Sequence, residues 1–168
     1  SEEIKAILQN STSMRQMMER SSRQYRSSKE IDKIKGTLPP ALLAKPVSKL
    51  MTAEVHQLCC QDTVTETLSR FNQERHSFYP IAESESGKLK GVITRENFYD
   101  FVQLEGLDEG ITLDPLSCVQ LPKISTDCTV TDALEIMVRD GSNQLLVMYE
   151  SDHLAGIISI RDVLAAAV

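Results

Sequence analysis

The sequence predicts an α+β fold of two βαββα units preceded by a helical N-terminal arm. An internal repeat is the first reason, because "GVITRENF" (91–98) is matched 65 residues later by "GIISIRDV" (156–163). Two further pairs keep the same order at a spacing of 66 residues: "TVTETLSRF" (63–71) with "TVTDALEIM" (129–137), and "FYPIAE" (78–83) with "QLLVMY" (144–149). A unit of about 55 residues buries too little apolar surface alone, so we expect the two to pack together.

The N-terminal arm, residues 1–46, is predicted to combine a helix with a linker. A helical stripe, interrupted at Ser11, contains Ile4, Ile7, Leu8, Met14, Met18 and Tyr25. The stretch "GTLPPALLAKP" (36–46) ends this helix, since proline cannot continue one. The arm could pack on the units, pair with a second copy, or connect to an upstream effector domain.

The first unit is predicted to span residues 47–104. Its first strand is expected near Val55–Leu58. Thr63 and Glu66 have capping-box spacing and begin an amphipathic helix. The apolar runs "SFYPIA" and "LKGVIT" then form two strands around the turn "SESGK" (84–88), and a second helix follows Thr94.

The second unit is predicted over residues 115–168, after an acidic connector at 105–114. Its first strand is expected near Val119–Leu121, and its first helix begins with the pair Thr129 and Asp132. The runs "QLLVM" and "LAGIIS" are the strands, and the last helix follows Ser159. Each unit therefore has the order strand, helix, strand, strand, helix.

Composition and charge exclude several classes of function. The net charge is −6, and because residues 1–49 carry +5, the remainder carries −11, which argues against nucleic acid as the main partner. No apolar run approaches the roughly 18 residues of a membrane span. The four cysteines form no C-x-x-C pair, which is typical of reduced thiols in the cytoplasm and predicts no metal site. The sequence has no G-x-S-x-G, Walker or H-E-x-x-H motif, so we expect no enzyme.

Both units end in the pattern Gly, two apolar residues, Ser or Thr, two variable residues and Asp or Asn, and "VSKLMT" (47–52) leads into the first. In these features residues 47–168 resemble a tandem pair of CBS domains, the Bateman module. The resemblance implies two sheets packed together about a pseudo-twofold axis, with two clefts between the units. It also implies an adenine nucleotide (AMP, ADP or ATP) as regulatory ligand, a homodimer, and control of an attached or partner enzyme, channel or transporter.

By this resemblance, Ser159 and Asp162 match the family's phosphate and ribose positions. A helix N-terminus offers N–H groups to a phosphate, and an aspartate carboxylate can accept from both ribose hydroxyls. Arg161 could meet phosphate charge. The alternative is that Asp162 only caps its helix.

The first repeat departs from the pattern at one position. Thr94 keeps the hydroxyl, but Asn97 replaces the aspartate and offers one acceptor oxygen without charge. We expect this cleft to bind a nucleotide more weakly or not at all, and Asn97 again could simply cap its helix.

In the family, the adenine side of each cleft comes largely from the opposite unit. The resemblance therefore places His56, His76 and Ser77 in the Asp162 cleft. If either histidine meets phosphate, binding should strengthen as pH falls through roughly 6.5. The alternative function is a dimerisation or interaction module that binds no nucleotide, which the change to Asn97 favours.

Overall fold

The computed structural model describes residues 29–74, 76 and 78–168, so the predicted apolar stripe of residues 4–25 lies outside the described part. The helices are α1 (described over 29–37), α2 (Pro40–Leu43), α3 (Val64–Gln73), α4 (Arg95–Glu105), α5 (Val130–Asp140) and α6 (Ile160–Ala166). The strands are β1 (Leu58–Cys59), β2 (Phe78–Ala82), β3 (Leu89–Thr94), β4 (Lys123–Ser125), β5 (Gln144–Tyr149) and β6 (His153–Ser159). None of the described helices has the length and apolar character needed to cross a membrane.

Each unit forms a three-stranded sheet, with the order β1-β2-β3 in the first and β4-β5-β6 in the second. The first strand of each sheet runs parallel to the middle strand, and the last two form an antiparallel hairpin. The predicted βαββα order is therefore confirmed in both units.

The first strand of each unit lies later in the chain than the sequence predicted. Val119 does not belong to β4, because it pairs with Val92 of the other unit, and β4 begins only at Lys123. Val55 is likewise outside β1, which covers Leu58 and Cys59. Short edge strands carry little local signal, and at β4 the long-range pairing of Val119 further separates the predicted from the observed strand.

A capping box begins each of the helices α3, α4, α5 and α6. The hydroxyl of the residue before the helix accepts from the backbone of the third helical residue, whose side chain accepts in return. The predicted pairs Thr63–Glu66 and Thr129–Asp132 are confirmed, and the same geometry occurs at Thr94–Asn97 and Ser159–Asp162.

The segment between the preceding helix and the first strand of each unit (residues 44–57 before β1 and 106–122 before β4, called the lead-in segments) packs on the other unit. The expected linker 36–46 contains α2, and the second unit's apolar core, which includes α5 and β5, takes in Ile31, Leu38, Leu42 and Val47. In the same way Leu113 and Leu116 enter the core of the first unit. The backbone bridges Pro46–Thr129 and Thr112–Thr63 are equivalent under the 66-residue repeat. The two units are thus related by a pseudo-twofold axis.

The glycine of each repeated motif makes room for this crossing. A Cβ at Gly156 would lie 2.5 Å from the Thr52 carbonyl oxygen, and one at Gly91 would lie 2.6 Å from Cβ of Cys118. Both distances are far shorter than a side chain tolerates. The sequence requires glycine here because the opposite lead-in passes directly over the strand.

A third apolar cluster joins the two sheets. Val92 of β3 packs there with Leu146 and Met148 of β5, all three buried. Phe78 and Ile157, one from each unit, border the same cluster. Burial of this apolar surface holds the sheets face to face.

Asn97 connects the lead-in segment of the second unit to the first unit by a hydrogen bond, called the clamp below. Its Oδ1 accepts from the backbone and hydroxyl of Thr94, while its Nδ2 donates to the Ser117 carbonyl at 2.9 Å. Next to this contact, Gln120 Nε2 donates to the Lys90 carbonyl at 3.3 Å. Asn97 therefore caps α4, and its amide has this second role that an aspartate could not perform.

The C-terminal end of α3 is held by two side chains. Arg95 donates to the carbonyls of Phe71 at 2.8 Å and Glu74 at 2.9 Å, and its guanidinium lies 5.2 Å from the centre of the Phe71 ring. The buried Tyr79 hydroxyl donates to Glu74 Oε2 at 2.6 Å. This hydrogen bond lowers the pKa of Glu74, and burial together with the same bond raises the pKa of Tyr79 to about 12.

The substitution Asn97→Asp tests the clamp, because the capping and clamp contributions change the free energy of unfolding in opposite directions. At the third position of a helix, aspartate should stabilise by about 0.3–1 kcal/mol through the helix dipole. The lost donor leaves the Ser117 carbonyl facing a carboxylate, which costs about 1–3 kcal/mol. We therefore expect Asn97→Asp to lower the free energy of unfolding by about 1 kcal/mol in urea titrations followed by circular dichroism.

The control for this prediction is Asp132→Asn, which changes the equivalent capping position of α5 in the opposite chemical direction. It measures the capping contribution alone. A stabilised Asn97→Asp protein would show that the clamp contributes nothing.

Tyr79→Phe should destabilise the protein at neutral pH, because it removes the hydroxyl donor to Glu74. A carboxylate with a lowered pKa stabilises the fold above its ordinary pKa of 4.5, and this contribution is lost as pH falls through the lower folded value. The difference in urea midpoint from the unmutated protein should therefore narrow from pH 7 to pH 4. Tyr149→Phe, at a half-exposed ring, is the control, and an equal Tyr79→Phe effect at both pH values would contradict the assignment.

Candidate functional site

A cleft of about 250 Å³ lies between the two units. The first unit and its lead-in contribute Thr52, Glu54, Val55, His56, His76 and Tyr79, with Phe78 and Pro80 of β2 beside them. The second unit contributes Gln144, Ile157, Ser159 and Asp162. The structure thus brings together four of the residues singled out in the sequence: His56, His76, Ser159 and Asp162.

The Asp162 side of the cleft is built by the junction of β6 and α6. The Ser159 backbone N–H donates to Asp162 Oδ2 at 2.8 Å, and the Ser159 hydroxyl donates to the same oxygen at 3.1 Å. The Asp162 N–H donates back to Ser159 Oγ at 3.3 Å. Asp162 therefore caps α6 through Oδ2. Within the described chain its Oδ1 has no hydrogen-bond partner, so capping and ligand contact are compatible.

The N-terminus of α6 is less open to a phosphate than the sequence argument assumed. The Ile160 N–H donates to the Asn143 carbonyl at 3.0 Å, and the Asp162 N–H is taken by Ser159 Oγ. The Ser159 hydroxyl itself already donates to Asp162. The structure therefore pairs within the chain most of the groups that were expected to receive a phosphate.

Three of the predicted residues that the structure describes, Arg161, Thr94 and Asn97, do not line this cleft. Arg161 is exposed and is not among the residues that line the cleft. Thr94 and Asn97 form the equivalent junction of the first unit, where Asn97 is engaged by the Ser117 carbonyl. Ser77 falls outside the described residues.

The opposite side of the cleft presents two imidazole rings. The ring centres of His56 and His76 are 5.7 Å apart with an angle of 32° between the planes. His76 meets Tyr79 edge to face at 5.5 Å, and its Nε2 lies 3.8 Å from Glu74 Oε2. These flat, partly exposed rings can contact a planar heterocycle.

Sequence reasoning missed three polar residues of the cleft: Thr52, Glu54 and Gln144. Gln144 pairs with Ser159 in the β5–β6 register, so an alignment of the predicted hairpin could have identified it. Thr52 and Glu54 reach the cleft because the lead-in crosses β6 at Ile157, and a single sequence carries no local signal for such a crossing.

Metal binding finds no support in the described ranges 29–74, 76 and 78–168. They contain no group of three or more His, Cys, Asp or Glu residues placed to hold a metal ion. The two histidines of the cleft do not form such a group with Glu54 or Asp162.

Solved structures with this fold cover between 74% and 100% of the chain. The CBS domain of a bacterial CNNM/CorC family Mg²⁺ transporter is 21% identical, with a TM-score of 0.60, covering 100% of this chain and 95% of that one. A structure of such a domain in complex with ATP has a TM-score of 0.58 and 20% identity, covering 86% and 94%. A putative acetoin utilization protein from Vibrio cholerae gives 0.61 and 19%, covering 74% and 91%.

Similarity at the sequence level extends to archaeal proteins. An uncharacterized protein of Methanocaldococcus jannaschii is 28% identical over 122 residues, which are 73% of this chain and 44% of that protein. The chain thus spans less than half of that relative. An uncharacterized 17.7 kDa protein of Acidianus ambivalens is 24% identical over 124 residues, 74% of each chain.

The repeated unit has its own family model. The CBS domain model matches residues 47–103 and again 117–168, which together make up well over half of the chain. The two matches coincide with the two sheets and their helices, and the paired arrangement is that of the solved neighbours. The chain therefore belongs to the CBS-domain family, as a tandem pair of these regulatory modules.

Proposed function

We propose that this CBS pair is a ligand-sensing module that binds an adenine nucleotide in the cleft between His56 and Asp162. The observation that carries the proposal is that one cleft presents a carboxylate from one unit and paired imidazoles from the other. The related domain solved in complex with ATP supports the choice of ligand class.

Each side of the cleft suits a different part of such a ligand. Oδ1 of Asp162 accepts hydrogen bonds from the ribose hydroxyls, because Oδ2 is already held by Ser159. The rings of His56 and His76 contact the base. Gln144 and Thr52 supply further polar atoms between these two ends.

A ligand in this position regulates through the packing of the two units. It contacts both of them, so it stabilises the arrangement in which both walls of the cleft are correctly spaced. The lead-in that forms one wall continues into α1 and α2, which pack on the second unit. A change in unit packing therefore reaches the N-terminal arm, and through it an attached or partner enzyme, channel or transporter.

We further propose that the module forms a homodimer through α4 and α6. Large apolar side chains are exposed on or beside these helices, with Leu104 81% and Leu107 50% accessible, and Tyr99 and Leu164 each more than a third accessible. A second copy is the occupant that the family resemblance implies. Light scattering after size exclusion tests this, and a monomer at micromolar concentration would contradict it.

Asp162→Ala should weaken binding of AMP at least about tenfold, because a hydrogen bond to a charged group is worth about 1.5–3 kcal/mol. Isothermal titration calorimetry measures the change. Asp132→Ala is the matched control, since it removes the same capping position from α5, which does not line the cleft. Equal AMP affinity for both variants and the unmutated protein would contradict the site.

Titration with pH distinguishes this orientation from the reverse one, in which the phosphate and not the base lies at the histidines: only in the reverse orientation should the affinity for AMP strengthen from pH 8 to pH 6. Protonation adds positive charge to His56 and His76, whose surroundings hold the carboxylates of Glu54, Glu74 and Asp162 and the Tyr79 hydroxyl. Adenosine, which has no phosphate, is the control ligand and should show a flat profile. Equal pH dependence for both ligands would place the phosphate away from the histidines.

A further inference from the structure

We propose that Arg95 is a positioning residue of the cleft: from the first turn of α4 it fixes the backbone that carries His76, and so holds the His76 imidazole beside that of His56. The proposal rests on the ligand site proposed above and adds a residue that does not itself line the cleft. Three observations lead to it: the hydrogen bonds of the guanidinium, the exposure of the His76 ring, and the contrast with the second unit.

The guanidinium of Arg95 bonds to the chain segment between α3 and β2. Its Nη2 donates to the carbonyls of Glu74 at 2.9 Å and His76 at 3.3 Å, and its Nη1 donates to the Phe71 carbonyl at 2.8 Å. Arginine suits this task, because its N–H donors project in fixed directions from one plane. The Phe71 ring, 5.2 Å from the guanidinium, helps to hold that plane in place. One side chain therefore fixes both the end of α3 and the path from it toward β2.

The His76 ring depends on its backbone for its position. Its side chain is more than half exposed, and Nε2 lies 3.8 Å from Glu74 Oε2. An exposed ion pair of this length contributes little to holding a side chain. The other ring contacts are with Tyr79 at 5.5 Å and His56 at 5.7 Å. Since these contacts are weak, the place of the imidazole is set by the main chain that Arg95 holds.

The second imidazole of the cleft has a similar support. Arg70 of α3 donates at 3.3 Å to the carbonyl of Gln57, the residue that follows His56 in the lead-in segment. Each imidazole thus stands at or next to a carbonyl that an arginine holds. Both arginines come from helices of the first unit, so the two rings form one wall that is attached to that unit.

The second unit has neither these arginines nor the imidazoles. The internal repeat places Ile160 and Ile136 at the positions of the α4 and α3 arginines, and both isoleucines pack against the apolar core of that unit. At the positions of the two histidines the repeat has Pro122 and Ser142. The same fold is therefore built without arginine at these positions. The arginines accompany the imidazole wall, which supports a role in the cleft.

Arg95→Met keeps the length of the side chain and removes its donors. The segment that carries His76 then has to be ordered when a ligand binds, and ordering one mobile side chain weakens affinity about two- to tenfold. We expect a loss of AMP affinity of about that size in calorimetry at pH 8. Arg95→Lys keeps the charge, but a single ammonium cannot reach three carbonyls, so it should lose affinity as Arg95→Met does.

The histidine rings give a readout that needs no ligand. The chain has three histidines, and the third, His153, lies in β6 of the second unit. In nuclear magnetic resonance spectra of the ligand-free chain at pH 8, Arg95→Met should move the ring signals of His56 and His76. The His153 signal should stay in place, because its ring contacts Tyr149 and the Ser86 carbonyl.

Arg139→Met is the matched control. Arg139 is an exposed arginine near the end of α5, paired with the neighbouring Asp140, and it does not line the cleft. This variant should leave the ring signals and the AMP affinity unchanged. Far-UV circular dichroism of all variants checks that the fold is intact.

The outcomes separate this proposal from the one on which it rests. Unmoved His56 and His76 signals in Arg95→Met would overturn the positioning role, and so would a His153 signal that moves with them, since the effect would then be a general loss of structure. Arg95→Lys with unmutated affinity and signals would show that charge and not geometry matters. Moved signals with unchanged AMP affinity would overturn the role in the site. Failure of the unmutated chain to bind AMP would overturn the proposed ligand, while the ring signals would still decide whether Arg95 positions His76.

Discussion

The crossing of each lead-in segment over the last strand of the opposite unit is the contact on which the rest of this structure depends. Thr52 pairs with Ile157, and Val119 pairs with Val92, so each unit is held by the chain that leads into its twin. The crossing is close enough that only glycine fits beneath it, at Gly91 and Gly156. It also builds the cleft, because residues 52–56 reach the second unit by this route. Fold and candidate site therefore share one physical cause.

The β3–α4 and β6–α6 junctions have nearly the same backbone geometry, but their side chains differ in chemistry. Asn97 and Asp162 occupy the same position in their capping boxes, and both satisfy the same helix terminus. The amide of Asn97 can also donate, and it does so to the Ser117 carbonyl of the crossing lead-in. The carboxylate of Asp162 cannot donate, and its second oxygen stays available to hydroxyl donors. The two junctions thus differ in one side-chain atom. The amide nitrogen of Asn97 bonds to the fold, whereas the corresponding oxygen of Asp162 is suited to a ligand.

Features set by neighbours in sequence could be predicted, and those set by the other unit could not. The capping boxes at Thr63 and Thr129 depend on residues three positions apart, and the strands of each hairpin on local apolar runs. The prediction for β4 is wrong because Val119 pairs with Val92 of the other unit, and β1 is shorter than predicted because its pairing with β2 starts only at Leu58. The same distinction holds for the cleft. The repeated motif predicted Asp162, whereas Glu54 could not be predicted, because it lines the cleft only where the lead-in segment crosses β6.

The double use of Asp162 has a thermodynamic consequence. A side chain that already accepts two hydrogen bonds from Ser159 holds a fixed rotamer, so a ligand that meets its other oxygen loses little additional conformational entropy of the protein. Preorganisation of this kind favours partners that need one well-placed acceptor, such as vicinal hydroxyls. It works against partners that need N–H donors, because the Ile160 N–H already donates to the Asn143 carbonyl and the Asp162 N–H to Ser159 Oγ. The same hydrogen bonds that make the junction stable therefore also restrict which ligands it can hold.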